Sequence, residues 1–268
     1  MLVLYTHYED IKRLNFIKDQ VQSLNNKDIR ILDVGCGNGI ISIALGSLGY
    51  DVLGIDIDPA SIKLANEFNP YPNVKFMVQD VEDEMLNDSF DVVICSEVLE
   101  HLHHPEKIIR DIHDSMKPES LFIVTTPNGY GPREVFMTKP MQAVNRYGFG
   151  DYLLKLKKLL GYEGKSIQSS NPDLEHIQFF KRSDLIQLIE SYGFKMQDFG
   201  RADVIDRVFP FSILANRFPT LQKIDCKMAD ILPRYFTSGF YTSWKMIKKS
   251  QRSPKPRSLQ NNYSAQSA

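Results

Sequence analysis

The sequence lacks an excess of either charge. Thirty-two Lys and Arg face 33 Asp and Glu, a formal net charge of -1. Coating of nucleic acid draws its affinity from clustered Lys and Arg, so that role is excluded as the main business of the chain. Cysteine is scarce as well. Cys36, Cys95 and Cys226 are an odd count with no C-x-x-C pair, which excludes a disulfide framework and a cysteine-rich zinc site. No apolar run approaches the ~18–20 residues of a membrane-spanning helix. The first ten residues carry no basic stretch or small-residue cleavage site of a secretory signal. The expected compartment is a reducing cytoplasm.

What is present suits a globular enzyme. The chain has 268 residues, 43% of them hydrophobic and 24% charged, within the range of soluble globular proteins. Thr6-His-Tyr-Glu9 has the form of a capping box, and Ile11, Leu14, Ile17, Val21 and Leu24 follow at helical spacing. Strand and helix then alternate. Strands are expected at residues 29–34, 51–55, 74–78, 90–95 and 121–125, and helices at 38–48, 59–68 and 105–116. Pro59 and Pro105 suit the first helical turn. This rhythm predicts an α/β, Rossmann-like doubly wound sheet.

The rhythm breaks after Pro127. Residues 130–175 read as a helical cap, including the basic amphipathic stretch 151–160, which could touch a membrane surface but more simply covers the site. A helix capped by Ser183 and stopped by Gly193 follows, then a strand at 194–199. Residues 205–232 read as a second helical insertion broken by Pro210 and Pro219, and 236–247 as an antiparallel closing strand. Residues 1–248 are expected to form one domain, and 249–268, poor in apolar side chains, a disordered tail.

The loop Asp33-Val-Gly-Cys-Gly-Asn-Gly39 joins the first strand to a helix. Glycines there let backbone approach a ligand in the crevice beyond the strand ends. A dinucleotide site wants G-x-G-x-x-G, but the third glycine here is Gly39, and Ile40 stands where that pattern needs glycine. Asp33 beside the loop disfavours pyrophosphate and suits a cationic ligand. Asp56 ends the second strand, where a carboxylate accepts from ribose hydroxyls. Gln79-Asp80-Val81 ends the third, where an acid can accept from an adenine amino group.

These stretches, with Phe90-Asp-Val-Val-Ile-Cys-Ser-Glu-Val-Leu-Glu-His101, resemble the class I S-adenosylmethionine-dependent methyltransferases. The match is strongest over residues 28–130. It departs at Met116-Lys-Pro-Glu-Ser120, where many relatives have Leu-Lys-Pro-Gly-Gly. The resemblance implies a sheet of about seven strands with the last antiparallel. It implies S-adenosyl-L-methionine held by Asp33, Gly35, Cys36, Gly37, Gly39, Asp56, Ile57, Gln79, Asp80, Val81, Ser96 and Glu97. It further implies methyl transfer to a small-molecule acceptor, on oxygen rather than on nitrogen or carbon.

An oxygen acceptor needs its proton removed, by a base or through a metal. Glu97, Glu100 and His101 share one face if their segment is helical, and His176 follows the cap. His101, His176 and Glu100 are therefore the catalytic candidates. Glu97, Glu100, His101 and His176 are a candidate ligand set for Mg or Mn, a pattern similar to both ubiquinone-pathway O-methyltransferases and RNA 3′-end 2′-O-methyltransferases. The same Glu-x-x-Glu-His segment also serves many metal-free methyltransferases. Three readings stay open: a small-molecule O-methyltransferase, a metal-assisted RNA 3′-end enzyme, and a non-catalytic cofactor-binding protein. His103 and His104 are expected as polar caps, and His7 and His113 at the surface. Tyr130, Arg146 and Tyr147 are plausible substrate contacts. Cys36 and Cys95 are read as packing residues rather than nucleophiles. Oligomeric state has no signature.

Overall fold

A computed structural model describes residues 5, 7–83, 89–140, 176–208 and 210–247. Its elements are α1 (Tyr8–Gln22), β1 (Arg30–Val34), α2 (Ile40–Gly46), β2 (Asp51–Asp56), α3 (Pro59–Phe68), β3 (Val74–Val78) and β4 (Phe90–Ser96). A 3-10 turn (Leu99–His101), α4 (Pro105–Ser115), β5 (Met116–Pro127) and a π-helical turn (Glu134–Thr138) come next. The chain continues through α5 (Arg182–Ser191), β6 (Phe194–Arg201), α6 (Phe211–Arg217), α7 (Pro219–Ile231) and β7 (Gly239–Met246).

The seven strands form one sheet in the order β3-β2-β1-β4-β5-β7-β6. β1 to β5 pair in parallel, and β7 lies antiparallel between β5 and β6. Alternation along the central strands feeds two cores. Ile31, Val92, Ile94 and Ile123 face α1 and α2, meeting Ile17, Val21, Ile41 and Leu45. Leu32, Val34, Val93 and Phe122 face the other way, towards Ile108 and Ile112 of α4 and Leu185 and Ile189 of α5. Burial on both sides is why these strands read as continuous apolar runs. The chain leaves β1 for β2 on one side, while β4 flanks it on the other. The crevice at that switch point is where open α/β sheets bind ligands.

Several expectations are corrected. α1 begins at Tyr8 with His7 in the cap position and no side-chain cap bond. Glu9 is buried and accepts from the Tyr241 hydroxyl instead of closing a capping box. Only Ile17 and Val21 of the α1 stripe are fully buried; Glu9, Asp10 and Arg13 bury beside them. α2 starts later than expected because Gly39, at φ +80°, caps it. Lys181, not Ser183, stands in the cap position of α5. His113 is buried against Phe194, and His7 is half-buried, so neither is a surface residue. His104 does precede α4, but its ring makes no cap bond.

The turn in β5 that departs from relatives carries Glu119 at φ +66°, a left-handed conformation that glycine adopts at less cost. The 205–232 insertion is indeed two helices, α6 following Pro210 and α7 opening at Pro219. The stretch 151–160, Arg146, Tyr147 and the 249–268 tail lie outside the described residues.

Candidate functional site

The loop after β1 is built on left-handed backbone: Gly35, Gly37 and Gly39 have φ of +66°, +53° and +80°. At Gly35 a Cβ would also stand 2.4 Å from Cγ2 of Val98. Glycine is required there for both conformation and space. Asp56, at the tip of β2, fixes this loop. Its Oδ2 accepts the Gly37 amide at 2.8 Å and its Oδ1 the Asp58 amide at 2.9 Å. Cys36 is tied to β2 as well, its amide donating to the Ile55 carbonyl at 2.9 Å.

Asp33 is only 1% exposed. Its Oδ2 accepts the Ser42 hydroxyl at 2.5 Å, and the Ser42 backbone amide bonds the same carboxyl. Ser42 lies in the first turn of α2, so a carboxylate of the protein already answers the unpaired amides there. A pyrophosphate would meet that charge. Burial pushes the Asp33 carboxyl up to about 7, against the pull of Ser42 and with a further push from Asp56. Asp33 thus lies buried beneath the loop and supports it from below.

Ile57 follows Asp56 and is 57% exposed. An apolar side chain left bare beside a carboxylate suits the flat face of a base next to a ribose. At the end of β3, Asp80 Oδ1 accepts the Glu82 amide at 2.8 Å, and Val81 is buried. The Gln79 amide donates to the Asp56 carbonyl at 2.9 Å, tying the second and third strand tips together.

β4 ends in Ser96, whose hydroxyl lies 2.9 Å from that of Thr125. Glu97 then takes φ +59°. This turn departs from the single helical face expected for Glu97, Glu100 and His101. It sends Glu97 Oε1 to the Thr125 hydroxyl at 3.0 Å and towards Nη1 of Arg13 at 3.5 Å. Ligand atoms of Glu100, His101 and His176 do gather within 4.8 Å of one another, but Glu97 does not join them. The four-residue metal set is therefore not supported.

The gathered residues are bound into the fold. The amides of Ile177 and Gln178 both donate to the Glu100 carbonyl, at 2.7 and 2.9 Å, which carries His176 over the 3-10 turn. The His101 and His176 rings meet edge-on, 5.1 Å between centroids. Nδ1 of His176 lies 3.3 Å from Oε1 of Glu134, a fully buried carboxylate on the π-helical turn. Burial raises the Glu134 carboxyl, but His176 and Arg133 outweigh it and hold it below the ordinary range. Glu100 behaves oppositely. Burial, then the charge of Glu97, pushes its carboxyl well up, although Oε2 accepts the Thr126 hydroxyl at 3.1 Å. Two carboxyls shifted in opposite directions, Glu100 up and Glu134 down, thus flank two imidazoles.

Sequence reading missed Glu134, since one acid in an irregular stretch gives no signal. It also missed a buried ionic network under the site. Arg207 reaches Glu9 at 2.8 Å and Asp10 at 2.9 Å, and Arg13 reaches Asp10 at 2.7 Å. Glu9, Glu97, Arg133, Asp203 and Tyr241 line a small cavity there. Asp225 Oδ2 accepts the amides of Val204, Ile205 and Asp206, and burial with Asp203 nearby pushes Asp206 up to about 10. The signal that could have pointed to it was Asp203-x-x-Asp206-Arg207, a charge-rich loop far along the chain from Glu9, Asp10 and Arg13.

Burial also pushes the Cys36 and Cys95 thiols well up, in keeping with packing rather than nucleophilic roles. Tyr130 is exposed, with Lys139 and Lys181 over its ring at 4.2 and 4.6 Å. No described helix is long and apolar enough to cross a membrane.

Comparison with known proteins agrees with this geometry. A family model described as a methyltransferase domain matches residues 6–198. The ubiquinone biosynthesis O-methyltransferase of Rickettsia bellii is 27% identical over 190 residues, 69% of this chain and 70% of that protein. In fold, the chain is similar to an S-adenosylmethionine-dependent methyltransferase from Mesorhizobium loti, with a TM-score of 0.55 and 16% identity over 87% of this chain and 99% of that one. It is similar also to magnesium protoporphyrin IX methyltransferase from Synechocystis PCC 6803, solved with S-adenosylhomocysteine bound, at TM-score 0.54 and 18% identity over 89% and 84% of the two chains. The model match spans most of the chain, and the seven-stranded sheet with its antiparallel end fits it. The chain belongs to the methyltransferase-domain family and is a class I S-adenosylmethionine-dependent methyltransferase.

Proposed function

We propose that this methyltransferase modifies a small-molecule acceptor on oxygen, and that His176, oriented by Glu134, takes the acceptor's proton. The observation that carries the reading is the pairing of a partly buried imidazole with a fully buried, ionised carboxylate. That pairing fixes the orientation of the ring beside the candidate acceptor position. Nitrogen acceptors with a free lone pair need no such base in the attacking step, whereas a hydroxyl does. The similarity to ubiquinone biosynthesis O-methyltransferases supports the same reading.

The cradle suits S-adenosylmethionine on its own features: a left-handed glycine loop at Gly35, Gly37 and Gly39, the Asp56 carboxylate, and the bare Ile57 side chain. The cofactor supplies a methyl on a sulfonium, a leaving group already activated. We assign Asp56 to the ribose hydroxyls, Ile57 and Val81 to the adenine faces, and Gln79 and Asp80 to the adenine edge. Gly35, Cys36, Gly37 and Gly39, held open from beneath by Asp33, take the methionine portion, with Ser96 and Glu97 at the floor beside it. His101 packs against His176 and limits its rotation, and the Glu100 backbone carbonyl anchors the chain under both. The chain's remaining task is to align the acceptor and exclude water. A metal-assisted reaction at an RNA 3′ end has no comparable support, because Glu97 is turned away from the other three candidate ligands.

The test is a radiolabelled methyl-transfer screen against phenols, catechols and primary amines, run with the wild type and His176→Gln. Methylated phenols or catechols are expected, with a loss of about a hundredfold or more in the variant and unchanged S-adenosylhomocysteine affinity. Methylated amines alone, or full activity in His176→Gln, would sink the proposal.

A further inference from the structure

Helices α6 and α7 are inside out. Their inward residues are small or polar: Ser212 and Ala215 on α6, and Gln222, Asp225, Cys226 and Ala229 on α7. The inward polar groups of α7 are satisfied there. Gln222 accepts the Tyr8 amide at 2.9 Å and donates to the Ala215 carbonyl at 3.0 Å, while Asp225 holds the three amides of residues 204–206. The large apolar side chains point outward. On α7, Leu221, Ile224, Met228 and Ile231 recur at steps of three, four and three, which is one stripe of a helix. All four are exposed, Ile231 by 84%. Phe218 before the stripe and Tyr235 after it extend the face with exposed aromatic rings. A helix normally buries this stripe and hydrates the other face; scattered exposed apolar side chains are ordinary, but a continuous line of them marks an interaction site.

Charge along the same segment has one sign. Arg217, Lys223 and Lys227 are exposed. Of the two acids on α7, Asp225 is turned inward and Asp230 is held by Lys12 at 2.7 Å. The surface therefore offers an apolar stripe edged by cations, and the exposed acid of α7, Asp230, is already paired with Lys12. Aromatic and aliphatic residues on one face with Lys and Arg on its flank describe a helix lying in a bilayer interface.

We propose that α6 and α7 form a docking surface for anionic lipid, with the α7 stripe seated at the headgroup boundary and Arg217, Lys223 and Lys227 on the phosphates. This rests on the exposed face alone and holds whether or not the acceptor reading is right.

The test is co-sedimentation of the full-length protein with vesicles of equal parts phosphatidylglycerol and phosphatidylcholine, against phosphatidylcholine alone. Binding to the mixed vesicles is expected, weakening as salt is raised. Ile224→Glu and Met228→Glu should each lower it by about tenfold or more, and Lys223→Glu or Lys227→Glu several-fold. All four positions are exposed, so S-adenosylhomocysteine affinity should stay at the wild-type level and report that the variants fold. Failure of the wild type to sediment with mixed vesicles, equal binding to phosphatidylcholine alone, or binding indifferent to Ile224→Glu would each overturn the proposal. So would a wild-type dimer in sedimentation velocity that Ile224→Glu converts to monomer without any vesicle binding, since the stripe would then seat a second copy of the chain.

Discussion

Replacing Asp33 by asparagine isolates the cost of keeping a carboxylate beneath the glycine loop. Asparagine has nearly the same shape and can still accept from Ser42 through its carbonyl, but it never ionises. Burial raises the native carboxyl from 3.8 to about 7, so between those values the folded state binds a proton that the unfolded chain has already released. Stability must then fall as pH rises across this window. At 1.36 kcal/mol per pH unit the fall is on the order of 4 kcal/mol by about pH 7, and it is constant above. Below the unfolded value the carboxyl is protonated in both states and contributes no slope. The Asp33→Asn protein lacks this component. Urea unfolding of both proteins at steps from about pH 4.5 to about pH 8 should give near-equal stabilities at the acid end. At the alkaline end the variant should be more stable by a few kcal/mol. Equal stabilities across the range, or a variant less stable at the alkaline end, would refute the view that this buried charge is a standing cost. The cost makes sense if a positively charged ligand settles over the loop: the affinity for S-adenosylmethionine, which carries the sulfonium, should then rise with pH through the same window in the wild type and stay flat in the variant.

Two further perturbations probe the frame around the site. Gly35→Ala forces a side chain into left-handed backbone and against Val98 at 2.4 Å; it should cost about 1–2 kcal/mol of stability and weaken S-adenosylhomocysteine binding by tenfold or more, read by thermal unfolding and calorimetry. Arg207→Met removes one of the two cations facing Glu9 and Asp10, leaving Arg13 alone to balance two buried carboxylates, at a cost of about 3 kcal/mol. Its thermal midpoint should drop by roughly 10 °C near neutral pH, the deficit shrinking in acid as those carboxylates take up protons.

The order of elements was legible because each central strand is buried on both faces and bounded by turn residues. Runs such as Ile29-Arg-Ile-Leu-Asp-Val34 leave little room for another reading, and α3 and β3 fall on the residues expected. The positions of the glycine loop and of Asp56 and Asp80 at the strand tips were legible for the same reason: they depend only on local sequence and strand order. What failed depends on backbone angles or distant partners. Glu97, Glu100 and His101 have helical spacing, yet a single positive φ at Glu97 divides them. Glu134 meets His176 across more than forty residues of intervening sequence. Asp10 and Arg13 look like a solvated i,i+3 pair, but Arg207 from the far end of the chain draws them into the interior. In α7 the apolar period itself misleads, since spacing identifies a stripe without saying which way it faces.

Isothermal titration of S-adenosylhomocysteine into the wild type and Asp56→Ala bears most directly on the assignment of the glycine-loop crevice to the cofactor. Asp56 holds the Gly37 and Asp58 amides and is the residue proposed for the ribose hydroxyls, and hydrogen bonds to a charged group contribute about 1.5–3 kcal/mol each. The account predicts one site per chain in the wild type and a loss of about a hundredfold or more in the variant. An affinity that the substitution leaves unchanged would contradict it.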